Sequence, residues 1–183
     1  MEYIHSHHFI HRDIKPGNFV VGIGSNANQV NVIDFGLAKK YRDIKTRCHI
    51  SYSENHSLTG TTVFASINNH LGLQQSRRDD LESLAYVLIY FLNGSLPWYD
   101  ARVATKGQGR RIMMRKKKMY SSSSIVCQTC PSEFGVFLDY TRNLQFDDKP
   151  DYMYLRGLFH DLFVRNGYQN DDLFDWSAMV DDD

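Results

Sequence analysis

Two short polar stretches stand near the start of the chain: His11-Arg12-Asp13-Ile14-Lys15-Pro16-Gly17-Asn18 and Asp34-Phe35-Gly36. Asp34 lies 21 positions after Asp13. Eight of these positions are specified in both type and order, and each would match by chance about once in twenty, so coincidence is on the order of one in 10¹⁰. The two stretches are therefore interpreted as parts of one site.

The stretches resemble the catalytic loop and the metal-binding motif of protein kinases. The resemblance implies phosphoryl transfer, in which the protein mainly positions groups and neutralises charge. Asp13 would accept the proton of the acceptor hydroxyl, and Lys15 would lie against the γ-phosphate. Asn18 and Asp34 offer the hard oxygen ligands that Mg²⁺ prefers. The expected cofactors are ATP and Mg²⁺, bound through Lys15, Asn18 and Asp34.

A β-hairpin is predicted between the two motifs. Phe19–Ile23 and Val30–Ile33 are short apolar runs, and Gly24–Asn28 between them has the composition of a turn. Such a hairpin would bring the two metal-binding positions to one place.

The rest of the chain is predicted to be helical. Apolar residues surround nearly the whole circumference of a helix over Asp80–Leu92, so this helix should be buried on all sides. Further helices are predicted to begin at Pro131 and after Asp151. The predicted fold class is mainly α with a small β-hairpin, similar to the C-terminal lobe of a protein kinase.

Beyond these motifs, nearly the whole chain resembles the casein kinase 1 family of Ser/Thr kinases. The segments that carry the resemblance are Thr59-Gly60-Thr61, Ala65–Asn68, Ser76–Leu84, Phe146–Tyr152 and Phe174-Asp175-Trp176. The resemblance implies one kinase lobe over residues 1–178, followed by an acidic tail over 179–183.

The same resemblance implies roles for residues around the site. Thr61 should act in catalysis by bridging Asp13 and Lys15, and Asp80 should brace the catalytic loop from the buried helix. Structural support is also expected from the remaining motif residues, which are His11, Arg12, Phe35 and Gly36.

Substrate recognition departs from the family pattern. The family prefers protein substrates that are acidic or already phosphorylated, which it reads with basic side chains. Val63 stands where the family usually has Arg, and Gly107 and Gly109 replace usually basic residues. Such changes weaken a phosphate site built from guanidinium groups. The substrate-anion contacts that could partly substitute are Lys106, Arg110 and Arg111.

Only ten residues precede His11, whereas kinases place a glycine-rich loop and a strand lysine ahead of the catalytic loop. The expectation is that this chain alone has no measurable turnover. Two alternatives to a truncated kinase stay open: an inactive lobe that acts as a protein-binding module, and an aggregation-prone remnant with an exposed apolar surface.

Composition excludes several classes of protein. With 42% hydrophobic residues, 23% charged residues and a formal net charge of zero, the chain reads as a globular domain without affinity for nucleic acid. Its strongest apolar run, Leu84–Leu92, is roughly half the length of a membrane span. Three cysteines without a secretory leader predict reduced thiols, hence a cytoplasmic or nuclear location.

Three local features have competing interpretations. The basic run from Arg110 to Lys118 could bind anionic substrate or act as a nuclear address, but a solvated helix face is favoured. Cys127 and Cys130 have zinc-like spacing without a second pair of ligands, so no metal site is assigned. The histidines from His5 to His8 are expected at a helix end and are also assigned no ligand role.

Overall fold

The computed structural model describes residues 1–23, 26–99 and 108–171. Within these ranges the chain is mostly helical, with two small antiparallel sheets, which confirms the predicted mainly α class. The helices are α1 (Glu2–Ser6), α2 (Ile67–His70), α3 (Arg77–Asn93), α4 (Gln108–Tyr120), α5 (Ser123–Val126), α6 (Ser132–Asn143) and α7 (Tyr152–Arg165).

The predicted hairpin is present. Strand β2 (Phe19–Val21) pairs antiparallel with β3 (Val30–Val32), and Phe19 lies opposite Val32. Both strands are shorter than the apolar runs, which extended to Ile23 and Ile33. Short 3₁₀ turns flank the hairpin at Pro16–Asn18 and Phe35–Leu37.

A second sheet joins β1 (Phe9–Ile10) to β4 (Lys39–Lys40). It was not predicted, because a strand of two residues gives no periodic signal. This sheet holds the segment before the catalytic loop against the segment after the metal motif.

Helix α3 forms the centre of the core. Its N-terminus is capped by Asp79, whose Oδ2 accepts from the backbone N–H of Ser76 at 2.7 Å. Its last residue is followed by Gly94, which has a φ of 69°. Burial on all sides was wrong for its last turn, because Phe91 and Leu92 are 58% and 53% exposed. The buried part of the helix is therefore its first three or so turns, which face the catalytic loop and the other helices.

Helices α6 and α7 pack beside α3. Asp151 caps α7 by accepting from the backbone N–H of Tyr154 at 2.9 Å. The ring of Phe159 on α7 lies 5.0 Å from that of Phe134 and 5.6 Å from that of Phe137, both on α6, in edge-to-face contacts. Among the described residues, no helix is both long and apolar enough to span a membrane.

The packing of α6 can be tested with one pair of variants. Leu138 is fully buried, so Leu138→Ala should lower the free energy of unfolding by about 2–5 kcal/mol. The matched control is Val136→Ala on the exposed face of the same helix, where a change of about 0.5 kcal/mol or less is expected. Chemical denaturation measures both, and equal effects would contradict the described core.

Candidate active site

The β2–β3 hairpin brings the two sequence motifs together. The backbone N–H of Ile33 donates to the carbonyl oxygen of Asn18 at 3.0 Å, which continues the strand pairing by one residue. Asn18 and Asp34 therefore lie at the same end of the hairpin. The register of a short sheet sets the position of the predicted metal ligands.

The side chain of Asp13 accepts three hydrogen bonds from its neighbours. Its Oδ2 accepts from Nζ of Lys15 at 2.6 Å, and its Oδ1 accepts from both the backbone N–H and Oγ1 of Thr61 at 2.8 Å. Gly60 permits this approach, since its φ is +82° and an added Cβ would lie 2.4 Å from the carbonyl oxygen of Arg12. Thr61 contacts Asp13 as the resemblance implied, but Lys15 reaches the carboxylate directly rather than through Thr61.

These donors determine the charge of Asp13. Burial alone would raise the pKa of its carboxyl, but the hydrogen bonds from Lys15 and Thr61 outweigh burial and lower the pKa below its ordinary value. Asp13 is therefore a carboxylate at neutral pH. It is a weak base that is well placed to accept a hydrogen bond.

Asn18 and Asp34 present oxygen atoms of the kind that Mg²⁺ binds. Nδ2 of the buried Asn18 donates to the carbonyl oxygen of Asp13 at 2.8 Å, which commits the nitrogen and not the oxygen of its amide. Asp34 is exposed and has a left-handed backbone with φ 65°, and its Oδ1 accepts from the N–H of Gly36 at 3.3 Å. This donor set fits a hard divalent cation.

The backbone of the catalytic loop is anchored on Asp80. This carboxylate is 2% exposed, and it accepts from the N–H of His11 at 2.7 Å and from the N–H of Arg12 at 2.8 Å. The anchor holds Arg12 at a φ of 68°, a conformation that is rare for a side chain of this size.

His11 and Arg12 also tie the loop to the metal motif. A ring nitrogen of His11, Nε2, lies 2.9 Å from the carbonyl oxygen of Ile33, and Nε of Arg12 donates to the carbonyl oxygen of Leu37 at 2.7 Å. The ring of Phe35 packs 5.1 Å from that of His11. Three of the residues expected as structural support, His11, Arg12 and Phe35, thus link the catalytic loop to the segment around the metal motif.

His5, expected only at a helix end without a ligand role, is a hydrogen-bond partner of the Asp80 anchor. Its Nε2 lies 2.9 Å from Oδ2 of Asp80, and its Nδ1 lies 2.6 Å from the hydroxyl of Tyr152. Burial lowers the pKa of His5 despite the neighbouring carboxylate, so the ring is neutral and donates from Nε2. Positions 5 and 80 share no local pattern that could have revealed the pair.

Most of the described part of the basic run is exposed, as the interpretation as a solvated face predicts, and the exception among its cations is Lys118. Its ammonium is fully buried, donates to the carbonyl oxygens of Thr62 at 3.2 Å and Ala65 at 2.5 Å, and lies 4.8 Å from the Tyr86 ring centroid and 5.0 Å from that of Trp98. Burial lowers the pKa of Lys118. The lysine fixes the segment that follows Thr61.

Of the residues predicted to contact substrate anions, only Arg111 has a described side chain. Arg111 is exposed on α4. Lys106 and Gly107 lie outside the described residues, as does the side chain of Arg110. Val63 is buried in the core, so its side chain does not face a substrate.

The described fold is mostly helical, and it brings Lys15, Asn18 and Thr61 into hydrogen-bond contact with Asp13. A protein kinase domain model matches residues 1–150. The chain belongs to the protein kinase family, and its described part has the helical architecture of a kinase C-terminal lobe. The predictions for the C-terminal end of the chain stay predictions, because residues 172–183 lie outside the described residues. They are the lobe boundary at residue 178, the resemblance over Phe174-Asp175-Trp176 and the acidic tail.

His70 makes the stability of the fold depend on pH. Its Nε2 lies 3.0 Å from the carbonyl oxygen of Thr62, and burial, followed by the charge of Lys118, lowers the pKa of His70 from 6.5 to about 3. The neutral ring favours folding, so this contribution is complete above pH 6.5 and is lost as the pH falls toward 3. His70→Gln should flatten the fall in unfolding free energy below pH 6.5 by up to about 1.4 kcal/mol per pH unit.

Denaturation between pH 7.5 and 4.5 measures this slope. Exposed His160→Gln is the matched control and should leave the slope unchanged. Identical slopes for the unsubstituted chain and His70→Gln would mean that folding does not lower the pKa of His70, against this prediction.

Proposed function

We propose that this protein is a Ser/Thr kinase of the casein kinase 1 type, which transfers the γ-phosphate of ATP to hydroxyls of protein substrates. The carboxylate of Asp13 supports this best: Lys15 and Thr61 hold it beside the oxygen donors of Asn18 and Asp34. Acidic or already phosphorylated proteins are the proposed substrates, and the cytoplasm or nucleus is the proposed compartment. Both rest on the sequence.

In the proposed mechanism Asp13 orients the acceptor hydroxyl. Because its pKa is low, the carboxylate accepts a hydrogen bond throughout the reaction and takes the proton only late, which suits the loose transition state of phosphoryl transfer. Lys15, already 2.6 Å from Asp13, places a positive charge where the transferred group arrives. Bound Mg²⁺ would neutralise phosphate charge, held by Asn18 and Asp34.

A place for the acceptor polypeptide lies next to Lys15. A cavity of about 220 Å³ opens there, and its walls include Phe64, Tyr90 and Tyr99. The rings of Tyr90 and Tyr99 stack with centroids 5.8 Å apart. Aromatic walls beside the acceptor position can bind the polypeptide on either side of the target hydroxyl.

A protein-binding module is the second candidate function. The hairpin and metal motif expose several apolar side chains, and Val21 and Val30 are cross-strand partners. The exposed apolar residues of this region are Val20, Val21, Ile23, Val30, Ile33, Phe35 and Leu37. An apolar surface of this kind is typical of a protein interface.

Binding of Mg·ATP distinguishes the two candidates. We expect the 183-residue chain to bind Mg·ATP in calorimetry and Asp34→Ala to weaken this binding by at least about tenfold, because even partners outside a metal's ligand shell are worth about 10- to 100-fold in metal affinity. The matched control, Asp161→Ala, removes an exposed carboxylate on α7 and should have no effect.

No binding, or equal binding by Asp34→Ala, would reject the kinase proposal and leave the binding module. Turnover is a separate measurement, because phosphoryl transfer by a kinase also uses a glycine-rich lobe and a strand lysine. With a glycine-rich lobe fused ahead of Met1, we expect transfer of the γ-phosphate to an acidic peptide that contains serine. We expect no transfer to the same peptide with tyrosine in place of the serine. Asp13→Asn should abolish that transfer while ATP still binds.

A further inference from the structure

A polar cavity of about 200 Å³ lies between α1, the segment after β4, and the starts of α3 and α7. Its walls include three cationic side chains, Arg42, Arg77 and Lys149, and one carboxylate, that of Glu2. At about 30 Å³ per water molecule, the space would hold a phosphoryl group together with water. Neither the sequence motifs nor the proposed function uses this cavity.

Arg77 is buried in the cavity wall without a carboxylate partner. It is 6% exposed, and its guanidinium lies 4.6 Å from the centroid of the Tyr41 ring. It donates to the hydroxyl of Tyr41 at 3.3 Å and to the backbone oxygen of Asp147 at 2.6 Å, and its Nε has no hydrogen-bond partner. A buried cation without a counter-charge is costly, so an anion here would be stabilised.

Arg42 brings a second guanidinium to the same tyrosine ring, 5.3 Å from its centroid. Its Nε donates to Nδ1 of His8 at 2.7 Å, while Nη1 of Arg47 lies 3.0 Å from Nε2 of the same ring. A neutral imidazole accepts at only one nitrogen, so these two arginines have more donors than His8 can satisfy.

The neighbouring carboxylates are already engaged. Glu2 pairs with Arg156 at 2.5 Å, and Oδ1 of Asp43 accepts from the backbone N–H groups of Lys45 and Thr46. Among the described residues, none of the three cations in the wall forms an ion pair. The cavity therefore has an excess of positive charge.

We propose that this cavity binds a phosphoryl dianion, carried by a phosphoserine peptide or present as free inorganic phosphate. Two guanidinium groups beside one ring supply the planar, paired donors that phosphate oxygens accept, and Lys149 adds a charge at the exposed rim. The site is separate from Asp13 and goes beyond the proposed function. It shares His5 with the Asp80 anchor, so an anion bound there would lie next to the support of the catalytic loop.

The test is a titration without Mg²⁺ or ATP, so that it does not depend on the kinase proposal. Sodium phosphate, a phosphoserine peptide and its unphosphorylated twin are each added while calorimetry and the His5 ring resonances are recorded. Arg42→Gln combined with Lys149→Gln removes the two outer cations and leaves buried Arg77 in place. This variant should bind phosphate at least about tenfold more weakly, as the loss of charge-assisted hydrogen bonds predicts.

Lys40→Gln is the matched control, since Lys40 is an exposed cation on β4 outside the cavity. Its affinity should equal that of the unsubstituted chain, and thermal unfolding verifies that each variant is folded. If the phosphopeptide binds more tightly than phosphate, the ligand of the site is phosphorylated protein. If the two bind equally well, the ligand is the free anion. Absence of binding, unchanged binding by the double variant, or loss of binding in Arg111→Gln instead, would overturn the proposal.

Discussion

The carboxylate of Asp80 is the group on which the site depends. A buried carboxylate is stable only when donors surround it, and here two backbone N–H groups and a neutral histidine supply them. The two N–H groups belong to His11 and Arg12, so the requirement of Asp80 for donors also fixes the path of the catalytic loop. The left-handed backbone of Arg12 is held in place by this interaction.

The Asp80 anchor also helps to position Asp13 through the neighbouring residue and its hydrogen bonds. Asp13 follows Arg12 directly, and Thr61 holds one of its oxygens. Two buried side chains hold the segment after Thr61. Lys118 donates to the carbonyl oxygens of Thr62 and Ala65, and Nε1 of Trp98 donates to the carbonyl oxygen of Val63 at 2.8 Å. A buried lysine and a tryptophan thus hold the substrate side of the site as Asp80 holds the loop side.

The sequence was sufficient to predict the parts of the site whose residues lie close together along the chain. The spacing of Asp13, Asn18 and Asp34 around two short apolar runs predicted a hairpin that brings the motifs together, and the pairing of Phe19 with Val32 places them so. The position of Asp80 followed from a family resemblance, not from periodicity.

Sequence reasoning failed where distant residues meet. The pairing of His5 with Asp80 depends on tertiary packing and leaves no trace in either local sequence. Lys118 sits in a run of charged residues and was assigned to solvent, whereas its neighbours Tyr86 and Trp98 and two carbonyl oxygens make burial possible. The composition of a segment predicts the average exposure of its residues, so it cannot identify the one lysine, Lys118, that faces the core.

The role of Asp80 is tested most directly by native-state hydrogen exchange of the backbone amides of His11, Arg12 and Thr61, comparing the unsubstituted chain with Asp80→Asn and with exposed Asp161→Asn. Because the asparagine amide has one acceptor oxygen in place of two, the account predicts faster exchange at these three amides in Asp80→Asn, with α6 and the Asp161→Asn control unchanged. Unchanged exchange at His11 and Arg12 in Asp80→Asn would contradict it.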